Sequence, residues 1–88
     1  MSFHKAFQRT LRGYHVTRYE TQYPRGHIWT VHHESRGTSA GCYESELGNM
    51  LAELSPEARS AVGEVVGDWR SEMRLKEAKA WLEISPAP

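Results

Sequence analysis

The chain has 88 residues, 25% charged and 39% hydrophobic, and its 11 basic and 11 acidic residues give no net charge. This length suits one small domain with one core and excludes a two-domain enzyme, a dinucleotide-binding fold or a barrel. The apolar runs are too short to span a bilayer, and the N-terminal residues show no secretory signal. The single cysteine, Cys42, cannot form an internal disulfide. We therefore expect a cytoplasmic protein with no membrane segment.

The neutral total conceals a separation of charge along the chain. Residues 1–43 contain six basic and two acidic residues, whereas residues 44–88 contain five basic and nine acidic residues. All five histidines lie in the positive half. This asymmetry predicts surfaces of opposite charge in the folded protein.

The first predicted element is a short N-terminal helix over about residues 3–12, where apolar residues recur at helical spacing after the capping residue Ser2. Gly13 can end this helix in the left-handed conformation. Residues 14–34 are rich in β-branched and aromatic residues, which predicts a β-hairpin. A turn at Arg36-Gly37 allows residues 38–43 to form a third strand.

The hairpin turn, Tyr23-Pro24-Arg25-Gly26, allows two registers. A two-residue loop pairs Tyr23 with Gly26, and a three-residue loop pairs Tyr23 with His27. We favour the second register, which places Tyr19 opposite Val31, because it separates an apolar face from a polar face. The apolar face then contains Tyr19, Tyr23, Trp29 and Val31.

The C-terminal half is predicted to be helical. Apolar residues repeat at helical spacing over 47–54, and Ser55-Pro56-Glu57 is a strong start for a long helix over about residues 56–83. The expected fold is α+β: a short N-terminal helix, a two- or three-stranded antiparallel β-meander, and a C-terminal helical hairpin whose long helix packs on the sheet. Residues 1–84 form one domain, and residues 85–88 form a flexible tail.

The sequence has neither the ligand spacing of a metal site nor a catalytic motif. His32 and His33 are adjacent, so in a strand they point to opposite faces and cannot easily share a metal ion. Cys42 could act as a nucleophile beside either histidine, but its pattern is more typical of a small buried apolar residue. We therefore expect a non-enzymatic protein without a metal ion or cofactor.

The predicted long helix carries an acidic row beside its apolar face. Its members are successive i, i+4 neighbours of like charge, which destabilise an isolated helix. Exposed apolar residues continue beyond the row, a combination that fits a basic, partly apolar partner surface. The predicted partner-binding residues are Glu64, Asp68, Glu72, Leu75 and Trp81.

Gly63 and Gly67 also lie within this helix and form a small-residue stripe with Ser60 and Ser71. Such a stripe lets another backbone approach closely. The approaching element can be the preceding helix, a partner protein or a second copy of the chain, so a homodimer through Gly63, Gly67 and Trp81 is one alternative.

In length and in its lack of motifs, the chain resembles the short cytosolic proteins encoded by phages and mobile elements, including anti-CRISPR proteins. That resemblance implies an inhibitor that occludes a basic surface of a host protein or nucleoprotein complex. The alternative is a small regulatory protein that binds nucleic acid through Arg18, Arg25 and Arg36 and the aromatic residues of the hairpin. The neutral net charge argues against this alternative.

Overall fold

The structure, a computed structural model, describes residues 3–22 and 25–84. These residues form four strands, β1 (Phe3–Leu11), β2 (Tyr14–Gln22), β3 (Arg25–His33) and β4 (Ser39–Tyr43), followed by the helices α1 (Leu47–Glu53) and α2 (Pro56–Ile84). A one-turn 3-10 helix, Glu44–Glu46, joins β4 to α1. The α+β class, a helix within residues 47–54 and the long C-terminal helix are thus confirmed. The predicted tail, residues 85–88, lies outside the described residues.

The predicted N-terminal helix is wrong, because residues 3–11 form a strand. β1 pairs antiparallel with β2, and the two residues between them, Arg12 and Gly13, have φ angles of 50° and 84°. Both residues adopt the left-handed backbone conformation that a tight two-residue hairpin turn requires. The spacing of the apolar residues fits either structure, but pairing with β2 satisfies the backbone and packs Phe7 and Leu11 against the core. The described sheet therefore has four strands, more than predicted.

The predicted register of the β2–β3 hairpin is also wrong. Gln22 pairs with Arg25 and Tyr19 pairs with Ile28, whereas Val31 pairs with Val16. Tyr23 and Pro24 lie outside the described residues, and His27, the expected partner of Tyr23, pairs with Glu20 instead. Because the register differs by an odd number of residues, Tyr19 lies on the opposite face from Trp29 and Val31.

The reason for this register is the burial of the first part of β2. Tyr14 and Val16 are 1% and 0% exposed and share their face with Trp29 and Val31. The predicted register placed neither Tyr14 nor Val16 in the core. On β4, Ala40 and Cys42 complete the same face opposite Val31 and Trp29, respectively.

The sheet is a meander of strand order β1-β2-β3-β4, and both helices pack on one of its faces. We call this the helix face and the opposite one the open face. The Ser55 hydroxyl accepts a hydrogen bond from the Ala58 amide at 3.3 Å and caps the start of α2. The core consists of Tyr14, Val16, Trp29, Val31, Leu47, Met50, Ala58, Ala61, Val62, Val65 and Val66.

The long helix extends well beyond the sheet. α2 has 29 residues, which corresponds to about 44 Å at about 1.5 Å per residue. Its buried residues lie between Ala58 and Val66, Trp69 and Met73 are half-buried, and every residue from Arg74 to Glu83 is exposed. We call residues 74–83 the projecting end. It accounts for much of the elongation of a molecule that measures 55 × 30 × 21 Å.

Candidate partner-binding surface

The three acidic residues predicted to bind a partner lie against two arginines of the first hairpin. Arg9 donates hydrogen bonds to Glu72 at 2.7 Å and to Asp68 at 3.5 Å. Arg12 donates a hydrogen bond to Glu64 at 3.4 Å. Both pairings depend on β1, because a strand at this edge places Arg9 on the helix face beside α2. The structure therefore places the three acidic residues in one row along α2 and partly neutralises their charge from within the chain.

The acidic row remains in contact with solvent. The side chains of Glu64, Asp68 and Glu72 are 55%, 57% and 52% exposed, so water screens their ion pairs strongly. Hydrogen bonding to Glu72 raises the pKa of Arg9, which keeps this guanidinium charged. Three carboxylates face two guanidinium groups, so the row offers a partner less negative charge than its sequence indicates.

The apolar residues predicted to anchor a partner lie on the projecting end. Leu75 and Trp81 are 65% and 69% exposed, and Leu82 is 74% exposed. Leu75, Ala78 and Leu82 are spaced i, i+3 and i+7, which places them on one side of the helix. Leu82 was not among the predicted binding residues, although its seven-residue spacing from Leu75 is the signal that identifies it.

The small-residue stripe has no intramolecular neighbour in the described part of the chain. A methyl group built on Gly63 or Gly67 has no atom of another element within 4 Å. At Gly63 and Gly67, the described residues therefore show no close packing against the preceding helix. Both glycines face open space on the side of α2 away from the sheet.

The three arginines of the alternative prediction do not lie together. Arg18 is on the helix face with its side chain 11% exposed, and Arg36 forms an ion pair with Glu57 at the start of α2. Arg25 begins β3 and Arg36 follows its end, a separation of roughly 27 Å along the strand. The fold therefore gives these arginines different surroundings, and Arg25 and Arg36 are the two that remain exposed.

Arg18 belongs to a polar cluster that closes the gap between the sheet and α2. It donates two hydrogen bonds to Glu44, at 2.8 and 3.2 Å, and its Cζ atom lies 4.4 Å from the centre of the Trp69 ring. The indole of Trp29 donates to the same carboxylate at 3.1 Å. The hydrogen bonds from Arg18, with a smaller contribution from Trp29, hold the pKa of Glu44 below its usual value. Sequence periodicity gives no signal for this cluster, because Glu44 begins the one-turn 3-10 helix between β4 and α1.

The histidines are divided between the two faces of the sheet. His15 and His32 stack on the open face with ring centres 6.2 Å apart, whereas His33 is buried on the helix face. The His33 Nδ1 atom accepts hydrogen bonds from the backbone amides of Ser35 and Arg36. Among the described residues, no three His, Cys, Asp or Glu side chains are grouped to hold a metal ion.

Cys42 lies on the helix face opposite Trp29 and is half-buried. Burial raises the pKa of its thiol, and the nearby charge of Glu46 raises it further. A thiol in this environment is held in its neutral form, which is the weaker nucleophile.

No protein-family model, curated protein or solved structure matches this chain. Over residues 3–22 and 25–84, neither helix combines the length and the apolar character that crossing a membrane demands.

Proposed function

We propose that this chain is a non-enzymatic binding protein that inserts the projecting end of α2 into a groove on a partner protein. The observation that carries the proposal is the exposure of Leu75, Trp81 and Leu82, at 65%, 69% and 74%, on a segment in which every residue from Arg74 to Glu83 is exposed. Helices that dock into apolar grooves use anchors at i, i+3 and i+7, the spacing of Leu75, Ala78 and Leu82. Tryptophan is also enriched among residues that dominate binding energy.

The acidic row of α2 indicates that the groove on the partner has a basic rim. Asp68, Leu75 and Leu82 follow one another at seven-residue intervals, so they lie on the same side of α2. A partner that receives the two leucines therefore meets Asp68 closer to the sheet. Because Arg9 already pairs with Asp68, apolar contact contributes more to this binding than charge does. In this proposal the protein acts as an inhibitor of the phage or mobile-element type, and it covers a basic surface of a host protein or nucleoprotein complex.

Affinity capture from nuclease-treated bacterial lysate tests the proposal with three forms of the tagged full chain. The first is the wild type, and the second is Leu75→Glu with Leu82→Glu. The third, Lys76→Glu, also adds a glutamate to the projecting end, but on the side that continues from Trp69 and Met73. All three should fold alike, because the substituted side chains are exposed.

The expected result is a stoichiometric protein partner that the wild type and Lys76→Glu retain and the double variant loses. Retention of that partner by the folded double variant would show that the projecting end is not the binding surface. Recovery of a partner only from a parallel lysate without nuclease would equally contradict the proposal.

A further inference from the structure

The open face of the sheet carries a row of side chains that no described element covers. Lys5, Tyr19, Ile28 and Tyr43 occupy directly opposed positions on β1, β2, β3 and β4, respectively. Phe3 contacts Tyr19 edge-to-face, with ring centres 6.4 Å apart. Two of the rings are widely accessible, since Phe3 and Tyr43 are each 51% exposed. Three aromatic rings therefore line one end of an uncovered sheet.

A shallow apolar depression lies within this row. It has a volume of about 400 Å³ and is lined by Phe3, Tyr19, Ile28 and Thr30. This volume lies in the range of small-ligand sites and suits a flat ring. Beside it, Gly41 lies opposite Thr30 and leaves the surface low next to Ile28 and Tyr43.

The charges of the open face favour an anionic occupant. Apart from the tyrosines, the described strands place three ionisable side chains on this face, those of Lys5, His15 and His32. These strands place no Asp or Glu on it. Glu34, which follows β3, pairs with His15 at 2.9 Å at the far end of the face. The acidic residues of α2 lie on the other side of the sheet, where Arg9 and Arg12 pair with them. The fold therefore separates the aromatic row from most of the negative charge of the chain.

The area of the face argues against a second copy of the chain as its occupant. Four strands span roughly 15 Å, and the four rows of outward side chains on the nine-residue strands span roughly 20 Å along them. A flat contact of that size is well below the ~800 Å² that each partner buries in a stable complex. A thin, flexible ligand that lies across the strands does not need such an area.

We propose that the open face binds single-stranded nucleic acid, with bases stacked on Phe3, Tyr19 and Tyr43 and a phosphate beside Lys5. Every base has a π-face that can stack on an aromatic ring, so such binding tolerates many sequences. Open four-stranded sheets with aromatic side chains bind two or three bases in this way in RNA-binding domains. This surface is separate from the projecting end of α2 and differs from the arginine set that the sequence indicated.

Fluorescence anisotropy with labelled oligonucleotides of thymidine or uridine, about 12 nucleotides long, tests the proposal at about 50 mM salt. The full chain should bind a single strand more tightly than the matching duplex. Tyr19→Ala and Tyr43→Ala should each weaken binding about tenfold, whereas Tyr19→Phe, which keeps the ring, should bind like the wild type. Lys5→Gln should weaken binding and lower its dependence on salt.

Trp81→Ala is the matched control, because it removes an exposed aromatic ring from the projecting end and should leave the affinity unchanged. Absence of binding at low salt would overturn the proposal, as would equal affinity for single strand and duplex. Loss of affinity in Trp81→Ala, with retention in Tyr19→Ala, would assign the binding to α2 instead. Because the two surfaces are tested with different variants, failure here leaves the proposed protein-binding function standing.

Discussion

Arg18 and Glu44 form a two-point contact across the gap between β2 and the start of the helical half. The Nε and Nη2 atoms of Arg18 lie 2.8 and 3.2 Å from the two carboxylate oxygens of Glu44. Trp69 of α2 stacks on the same guanidinium, and Trp29 of β3 donates to the same carboxylate. One ion pair thus connects β2, β3, the 3-10 turn and α2. Its side chains are 11% and 37% exposed, so it is less screened than the pairs of the acidic row.

Arg18→Met should destabilise the fold by about 1–3 kcal/mol, because it leaves the Glu44 carboxylate without its charged donor. Arg25→Met is the matched control, since Arg25 is exposed at the start of β3 and should contribute little. Urea unfolding followed by circular dichroism measures both variants. Equal midpoints for the two would show that the Arg18 cluster does not stabilise the fold.

The same cluster predicts a dependence of stability on acid. Arg18 lowers the pKa of Glu44 in the folded state, so the unfolded chain takes up the proton more readily, at about pH 4.3. The stabilisation is therefore complete at neutral pH and is lost as the pH falls through the folded-state pKa. The difference in melting temperature between the wild type and Glu44→Gln should shrink from neutral pH to about pH 3. A difference that stays constant over this range would contradict the assignment.

Replacing either of the two glycines on the outer side of α2 with alanine should stabilise the fold. Gly63→Ala and Gly67→Ala should each raise the free energy of unfolding by about 0.5–1 kcal/mol, because alanine restricts the unfolded chain and favours the helix. The new methyl groups meet no atom of another element within 4 Å. Thermal unfolding of the purified variants provides the measurement. A loss of stability in either variant would reveal a contact at this face.

Two glycines of the sheet region adopt the left-handed conformation. Replacing each of them with alanine distinguishes the cost of backbone strain from the cost of steric overlap. Gly13 and Gly37 have φ angles of 84° and 67°, but a methyl group at Gly13 would lie 2.7 Å from Nε2 of His33, whereas Gly37 faces open space. Gly37→Ala should cost about 1 kcal/mol, and Gly13→Ala should cost clearly more. Chemical denaturation of both variants tests this order. A reversed order would mean that His33 moves away freely.

Charge reversal of the acidic row should affect the fold itself. Glu64→Lys with Asp68→Lys removes two ion-pair partners and places cations beside Arg9 and Arg12. The structure therefore predicts a lower melting temperature for this double variant than for the wild type. The deficit should shrink at high salt because these groups are exposed. A deficit that does not respond to salt would point to a cause other than charge.

Local signals explain which elements could be predicted. Three consecutive residues, Ser55-Pro56-Glu57, predict the start of α2. The uninterrupted helical spacing of the apolar residues that follow predicts its length. The apolar spacing of residues 3–11 fits a helix as well as a strand. The choice between them depends on pairing with β2, which no local pattern contains. The predicted register of the β2–β3 hairpin was wrong for a related reason, since the burial of Tyr14 and Val16 depends on α2.

The candidate binding residues show the same difference between what a local pattern predicts and what depends on long-range contacts. Leu75 and Trp81 could be identified because their place on a long helix is a local property, and their exposure follows from a helix longer than the sheet beneath it. The pairing of Glu72 with Arg9 joins residues 63 positions apart and depends on β1 being a strand. The aromatic row of the open face was missed because the predicted register turned Tyr19 toward the core.

The meander has a consequence for how the chain folds. Each strand is hydrogen-bonded to its neighbour in sequence, so the sheet forms by closing short loops, which costs little chain entropy and favours rapid folding. A sheet of this kind is marginal until a helix covers its apolar face. Until α2 docks, Trp29 and Val31 face water on a partly formed sheet. Substitutions that delay this docking, such as those in Ala61 or Val65, should therefore promote aggregation during folding even where the native state tolerates them.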